Sequence, residues 1–206
     1  MDRRSPYDLD RTLALSDGII AFSMTLMAIL VALPNPASVP SEQFLDNLLS
    51  TTVPQAVVFG YAFLIVSMYW ALHNKLLRGL AVCDGGVTRI NILFLLSVVL
   101  LAITSAMFGD YPSNQWAVTV FALNMAAAGL ILVWLWRYVI SKHYHRQRLS
   151  PKAREYALVV KLVTPAIFLL SIPVAFYSVS LAELCWLSIP LVQLWLNRYD
   201  PSQSKS

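Results

Sequence analysis

Six apolar segments, each close to the roughly 20 residues that a helix needs to cross a bilayer, constrain this 206-residue chain more than any other feature. Charged residues make up 13% of the sequence, whereas about 25% is usual in soluble domains, and the mean hydropathy is +0.63. We therefore predict an all-α membrane protein with six transmembrane helices, over residues 12–34, 53–74, 88–108, 115–139, 156–178 and 181–197.

Prolines and glycines mark the predicted helix boundaries. Pro34 is expected to end the first helix and the pair Gly85-Gly86 to separate the second from the third. The stretch 38–49 is too short to span a bilayer; it fits either a short interfacial helix or an ordered loop. Residues 1–200 are expected to form one six-helix transmembrane domain, and residues 201–206 a short polar tail. The start of the chain lacks a signal-peptide pattern, so we expect the first helix to be retained.

The charged residues divide between the two predicted membrane faces. All 15 lysines and arginines fall on the side that holds both termini. The other side carries only acidic residues, namely Glu42, Asp46, Asp110 and Glu183. By the positive-inside rule we expect a multi-pass protein of the cell membrane with cytoplasmic N- and C-termini. The net charge of +4 is then a consequence of topology, and no nucleic-acid partner is expected.

The first helix, RTLALSDGIIAFSMTLMAIL over residues 11–30, has two unusual surfaces. At about 100° per residue, one narrow stripe is mainly apolar, with Leu26 at its edge. The stripe consists of Leu15, Gly18, Phe22, Thr25, Ile29 and Leu33. Ser16 and Asp17 point elsewhere, toward the cytoplasmic end of the helix. An ionised aspartate inside a membrane is costly unless it is paired, so these two residues require partners at the same depth.

Polar residues of three helices reach that depth. We expect one network that joins Ser16 and Asp17 to these residues, namely Arg11, Trp70, His73, Asn74, Arg89 and Asn91. The alternative is that His73 and Arg89 simply face cytoplasmic water.

These residues resemble the motifs of one known family. Arg11-x-x-x-Leu15-Ser16-Asp17 resembles the R-x-x-x-F-S-D signature of the endolysosomal potassium channels called transmembrane protein one-seven-five, especially the prokaryotic members. Trp70-x-x-His73 resembles a second-helix motif of that family, and Asn91 a third-helix asparagine. The chain departs from the signature at Leu15, which replaces a phenylalanine.

The resemblance implies a potassium-favouring cation channel, a homotetramer in membrane lipid with four first helices around a central pore. The hydrophobic constriction then falls on Phe22, Leu26 and Ile29, with a ring of Thr25 hydroxyls between them. Potassium and other monovalent cations are the implied permeant species, potassium passing near Thr25, and neither a cofactor nor a bound metal is expected. Phe22 is a departure, because the family usually has isoleucine or leucine there.

Two other functional classes compete with the channel, namely a coupled transporter and an enzyme. A proton- or ion-coupled secondary transporter is possible with Asp17 and His73 as a polar relay, although the polar residues lie near one face and not at the midplane. An enzyme is not expected, because the sequence has no H-E-x-x-H motif, no metal-ligand spacing of Cys and His, and no nucleophile with partners at a matching depth.

Overall fold

Six long helices form a bundle in a computed structural model of the protein, which describes residues 6–146 and 150–198. They are α1 (Pro6–Ile29), α2 (Val53–Arg78), α3 (Gly85–Asp110), α4 (Gln115–Ser141), α5 (Pro151–Tyr177) and α6 (Val179–Asn197). Each contains a segment long and apolar enough to span a membrane. The prediction of six spanning helices is therefore confirmed. The polar tail predicted for residues 201–206 lies outside the described residues.

The first helix ends at Ile29, and not at residue 34 as predicted. Pro34 disfavours the helical conformation of the residue before it, so the last turn closes early. That turn is tight: the backbone N–H of Val31 donates to the carbonyl of Ala28 at 3.3 Å. The backbone groups of Ala32, one residue further on, find their partners outside α1.

Residues 41–52, which precede α2, are helical. Of the two predicted alternatives for this stretch, a short helix and an ordered loop, the structure favours the helix. It runs through a 3₁₀ turn (Ser41–Gln43), one α turn (Phe44–Asn47) and a π turn (Leu48–Thr52) directly into α2. Phe44 and Leu45 are exposed on it, as expected for a helix that lies at a membrane surface.

Gly85 and Gly86 lie inside the first turn of α3 and do not separate it from α2, which corrects the predicted boundary at residue 88. The side chain of Asp84 caps this turn by accepting a hydrogen bond from the Val87 N–H at 2.8 Å. A Cβ atom at Gly86 would collide with the Tyr138 hydroxyl, so a larger residue there would displace this side chain from its hydrogen bond to Asp84.

The core includes Ile20 and Met27 of α1, and its larger part, among α2 to α6, is rich in aromatic side chains. Trp186 of α6 packs against Phe108, Phe121 and Phe168, with ring centroids 5.4–5.6 Å apart. The last two helices form a hairpin through the single residue Ser178, whose extended backbone ends α5 and begins α6. Pro165 and Pro173 lie inside α5, and Pro190 lies inside α6.

The bundle has two ends that differ in charge. At the basic end, the α2–α3 connection pairs with the α4–α5 connection, where Ala81 N–H donates to the Tyr144 carbonyl at 2.7 Å. At the acidic end, the residues after α1 meet the beginning of α2 and the end of α3. Only α2 and α3 pack extensively against α1 in the described parts of the chain. One side of the first helix is therefore left uncovered.

Candidate functional site

Asp17 of α1 is held by side chains of α2. Its Oδ1 accepts hydrogen bonds from the Trp70 indole N–H at 2.7 Å and from Asn74 Nδ2 at 3.2 Å. The Asn74 carbonyl oxygen accepts in turn from Nε of Arg78. These three residues recur every four positions, so they share one face of α2. The half-buried carboxylate of Asp17 is thus bound by two N–H donors of α2. Through Asn74 it is also connected to the Arg78 guanidinium at the end of α2.

Ser16 belongs to a second group of hydrogen bonds, which reaches α3. Asn91 Nδ2 donates to Ser16 Oγ at 2.9 Å, and Ser16 Oγ donates to the Thr12 carbonyl at 2.7 Å. His73 Nε2 lies 2.6 Å from Asn91 Oδ1, an acceptor, so the imidazole carries a proton on Nε2. The His73 ring also stacks on Phe94 at 4.8 Å between centroids. Ser16, His73 and Asn91 are all buried.

The structure therefore distributes the predicted polar residues over two groups, not one network. Ser16, His73 and Asn91 lie together, and Asp17 lies with Trp70 and Asn74. His73 is buried, so the water-facing alternative does not hold for it, whereas Arg89 is exposed. Arg11 is also exposed, and the side-chain hydrogen bonds described for Asp17 come from α2.

The predicted apolar stripe of α1 lies on the uncovered side of the helix. Leu15, Phe22 and Ile29 are 54%, 62% and 71% exposed. Gly18 and Thr25 are exposed between them, and the Thr25 hydroxyl donates to the Ala21 carbonyl at 3.0 Å, which leaves its oxygen lone pairs available. Leu26 differs, because it is half-buried and packs against the core.

The opposite side of α1 faces the bundle. Ile20, Ser23 and Met27 are almost completely buried there. The first helix thus carries a packed face and an exposed face, and the exposed face combines large apolar side chains with one hydroxyl.

A clamp at the acidic end, made of Thr52, Gln55 and Asp110 around Ala32, was missed by sequence reasoning. Gln55 Oε1 accepts from the Ala32 N–H at 2.6 Å, and the Ala32 carbonyl accepts from Thr52 Oγ1 at 2.8 Å. Gln55 Nε2 donates to Asp110 Oδ1 at 2.6 Å, which extends the clamp to α3. The available signal was an amide side chain in the first turn of an apolar helix, where it is costly unless paired.

Both ends of α1 are consequently attached to α2 and α3 by polar contacts. The basic end uses the Ser16 and Asp17 groups, and the acidic end uses the clamp at Ala32. Among the residues that the structure describes, no cluster of three His, Cys, Asp or Glu side chains has the arrangement of a metal site.

Known proteins share both this fold and this region of sequence. The family model described as the endosomal/lysosomal potassium channel TMEM175 matches residues 11–101, which contain the stripe, both hydrogen-bonded groups and Gln55. Over this segment the chain is similar to that family. It is 23% identical over 185 residues to a protein named as a potassium channel in Chamaesiphon minutus, and the match covers 85% of each chain.

The TMEM175 relatives differ in length and in name. The chicken relative is named as an endosomal/lysosomal proton channel; the match is 22% identical, covers 92% of this chain, and spans only 38% of the chicken protein. The crystal structure of a lysosomal potassium-selective channel TMEM175 homologue from Chamaesiphon minutus shares the fold, with a TM-score of 0.79 and 20% identity. That match covers 95% of this chain and 99% of the other. These relatives are named as channels, which agrees with the expectation that the chain is not an enzyme.

Proposed function

We propose that the protein is a potassium-favouring cation channel of the cell membrane, a homotetramer in which four copies of α1 line a central pore. The observation that carries this proposal is the exposed stripe of α1. Its side chains are large and apolar, yet the same helix is fixed at both ends by buried polar contacts. Such fixed attachment suits a helix whose exposed face must hold a defined position, as a pore wall requires.

In this proposal Phe22, Leu26 and Ile29 form the narrow part of the pore. A ring of apolar side chains excludes water from a narrow neck, so hydrated ions cross only when the neck widens. Phe22 contributes an aromatic face, which attracts a cation weakly through its ring quadrupole. Leu26 is already half-covered by the core, so it borders the pore less than the other two residues do.

Thr25 supplies the polar element of the same pore. Its hydroxyl proton is directed to the Ala21 carbonyl, so the oxygen presents lone pairs and no proton to a passing ion. Four such oxygens replace part of the water shell of a potassium ion near the neck. The names of the bacterial relatives as potassium channels support this permeant ion.

The orientation with both termini in the cytoplasm rests on the distribution of basic residues. The acidic end then faces outward, where its carboxylates raise the local concentration of cations. A coupled transporter that uses Asp17 and His73 as a relay is less well supported. Within the described part of the chain the two side chains belong to separate hydrogen-bonded groups.

The test is potassium flux from liposomes that contain the purified protein, with Phe22→Ala as the informative variant. Flux is expected without any proton gradient, and Phe22→Ala is expected to increase it several-fold because the neck becomes wider and wetter. Phe63→Ala is the matched control, since Phe63 is an exposed phenylalanine of α2. Potassium flux that requires a proton counter-gradient would contradict the channel and support the coupled transporter. Equal effects of the two variants would mean that Phe22 faces lipid.

A further inference from the structure

A cavity of about 460 Å³ lies at the basic end of the bundle, away from α1. It opens between the last turns of α4 and the first turns of α5, at the end of the bundle that the proposed orientation places at the cytoplasmic face. Apolar side chains form part of its wall, namely Trp136, Ile140 and Leu158. In that orientation the cavity lies at the depth of lipid headgroups, and its apolar wall suits an acyl chain.

The same cavity is lined by two arginines, Arg137 and Arg154. The Nε–H of Arg154 is buried and donates to no acceptor in residues 6–146 and 150–198. Buried donors of charged groups are rarely left in this state, because they lose water without gaining a partner. The Arg154 side chain therefore has unused hydrogen-bonding capacity at the wall of the cavity.

Further charge lies behind the cavity wall. The ammonium of Lys161 is buried and lies 4.3 Å from the centroid of the Trp136 ring, on which the cavity also borders. Glu155 opposes these charges from the lining, but it is exposed to solvent. Two arginines and a lysine outweigh this one screened carboxylate, so the site favours an anion.

We propose that this cavity binds an anionic phospholipid of the cytoplasmic leaflet. The headgroup phosphate accepts hydrogen bonds from Arg154 and pairs with Arg137, while an acyl chain lies along Ile140 and Leu158. Arginine matches phosphate geometry well, and basic pockets between helices at the cytoplasmic face suit such headgroups. The inference rests on the proposed orientation of the protein and is independent of ion conduction.

The test measures lipid binding and not flux, so that its failure is distinct from failure of the proposed channel. Delipidated protein in detergent is titrated with phosphatidylglycerol, and the apparent Kd is taken from the rise in melting temperature and from retained lipid in native mass spectra. Arg154→Gln is expected to weaken binding by about tenfold, the loss typical of one charge-assisted hydrogen bond. Glu155→Gln is expected to tighten binding, because it removes the opposing charge.

Lys152→Gln is the matched control, since it removes one exposed positive charge from the first turn of α5 outside the cavity lining. The proposal predicts that this variant binds phosphatidylglycerol as the unmodified protein does. An equal loss in Lys152→Gln and Arg154→Gln would overturn it in favour of diffuse surface attraction. If Arg154→Gln does not fold, Arg137→Gln and Glu155→Gln decide the question by opposite shifts in Kd.

Phosphatidylcholine and inorganic phosphate test whether the bound phosphate belongs to an anionic lipid, to a neutral lipid or to a free ion. Phosphatidylcholine is expected to bind at least about tenfold more weakly than phosphatidylglycerol, because its headgroup carries no net charge. Inorganic phosphate is expected to give no stabilisation at concentrations where the lipid saturates. Equal binding of phosphatidylcholine, or full stabilisation by inorganic phosphate, would overturn the assignment to an anionic lipid.

Discussion

The side-chain amide of Asn91 on α3 donates a hydrogen bond to the hydroxyl of Ser16 on α1 at 2.9 Å, inside the bundle and away from solvent. The same amide accepts from His73 of α2 through its oxygen, so one asparagine joins the first three helices. In a membrane interior each of these groups would be costly if left unpaired. Asn91 is therefore the residue on which the basic-end attachment of α1 depends most.

Replacement of Asn91 by leucine is expected to destabilise the protein more than an ordinary polar-to-apolar change. His73 Nε2 then loses its acceptor and Ser16 its donor, at about 1–3 kcal/mol for each buried group. The measurement is the melting temperature in detergent. Asn124→Leu is the control, because Asn124 is only half-buried and its side-chain amide bonds to residues of α3 alone, namely Ser97, Leu101 and Thr104. Equal losses in the two variants would contradict a special role for Asn91.

Gln55→Leu is expected to affect both stability and potassium flux. The variant frees the Ala32 N–H and the Asp110 carboxylate and leaves the Thr52 hydrogen bond in place, so the residues after Ile29 are held less firmly and the neck widens more readily. Liposome flux is expected to rise, together with a loss of stability of about 1–3 kcal/mol.

The matched control is Gln193→Leu, which removes another buried glutamine with two hydrogen bonds, to the Val160 carbonyl and to Thr164 Oγ1. It is expected to cost similar stability and leave flux per folded protein unchanged. A rise in flux of the same size in Gln193→Leu would show that general loosening, and not the clamp at Ala32, controls the pore.

Thr25→Val is expected to lower the preference for potassium over sodium, because valine keeps the size of threonine but removes the oxygen. Thr25→Ser retains the hydroxyl and is expected to preserve the preference. The measurement is the reversal potential in planar bilayers with potassium on one side and sodium on the other. If valine and serine leave the same selectivity, the Thr25 hydroxyl does not face the ion path.

Asp84 gives the basic end an acid-sensitive contact. Partial burial acts to raise the pKa of its carboxyl, but hydrogen bonds from the Val87 N–H, Tyr138 and Tyr144 outweigh burial and hold the pKa below its ordinary value of 3.8. A lowered pKa stabilises the folded state above that ordinary value, and this stability is lost as pH falls through the folded-state pKa. The melting temperature is therefore expected to fall on acidification in this range.

Asp84→Asn retains an oxygen that can cap α3 but has no titrating carboxyl, so its melting temperature is expected to depend less on pH below 4. Asp46→Asn, which alters an exposed acidic residue near the other end, serves as the control. A fall in melting temperature that is equally steep in Asp84→Asn would assign the acid sensitivity to other groups.

The six spans followed from the sequence because about 20 consecutive apolar residues have few alternatives to a membrane helix. The boundaries were less predictable, and Gly86 shows why. A glycine pair usually interrupts a helix, but here Asp84 caps the turn and the Tyr138 hydroxyl occupies the space that a side chain at Gly86 would need. That requirement comes from α4, which lies far along the chain.

The sequence by itself determined the six membrane-spanning helices and the exposed stripe of α1, because segment length and helical period are local properties. Only the tertiary structure decided which polar residues pair. Ser16 and Asp17 are adjacent, yet they point to α3 and α2 because successive side chains on a helix diverge by about 100°. The hydrogen bond between the Ala32 N–H and Gln55 likewise depends on where α1 ends. The position of that helix end brings Ala32 to Gln55, and composition alone does not indicate it.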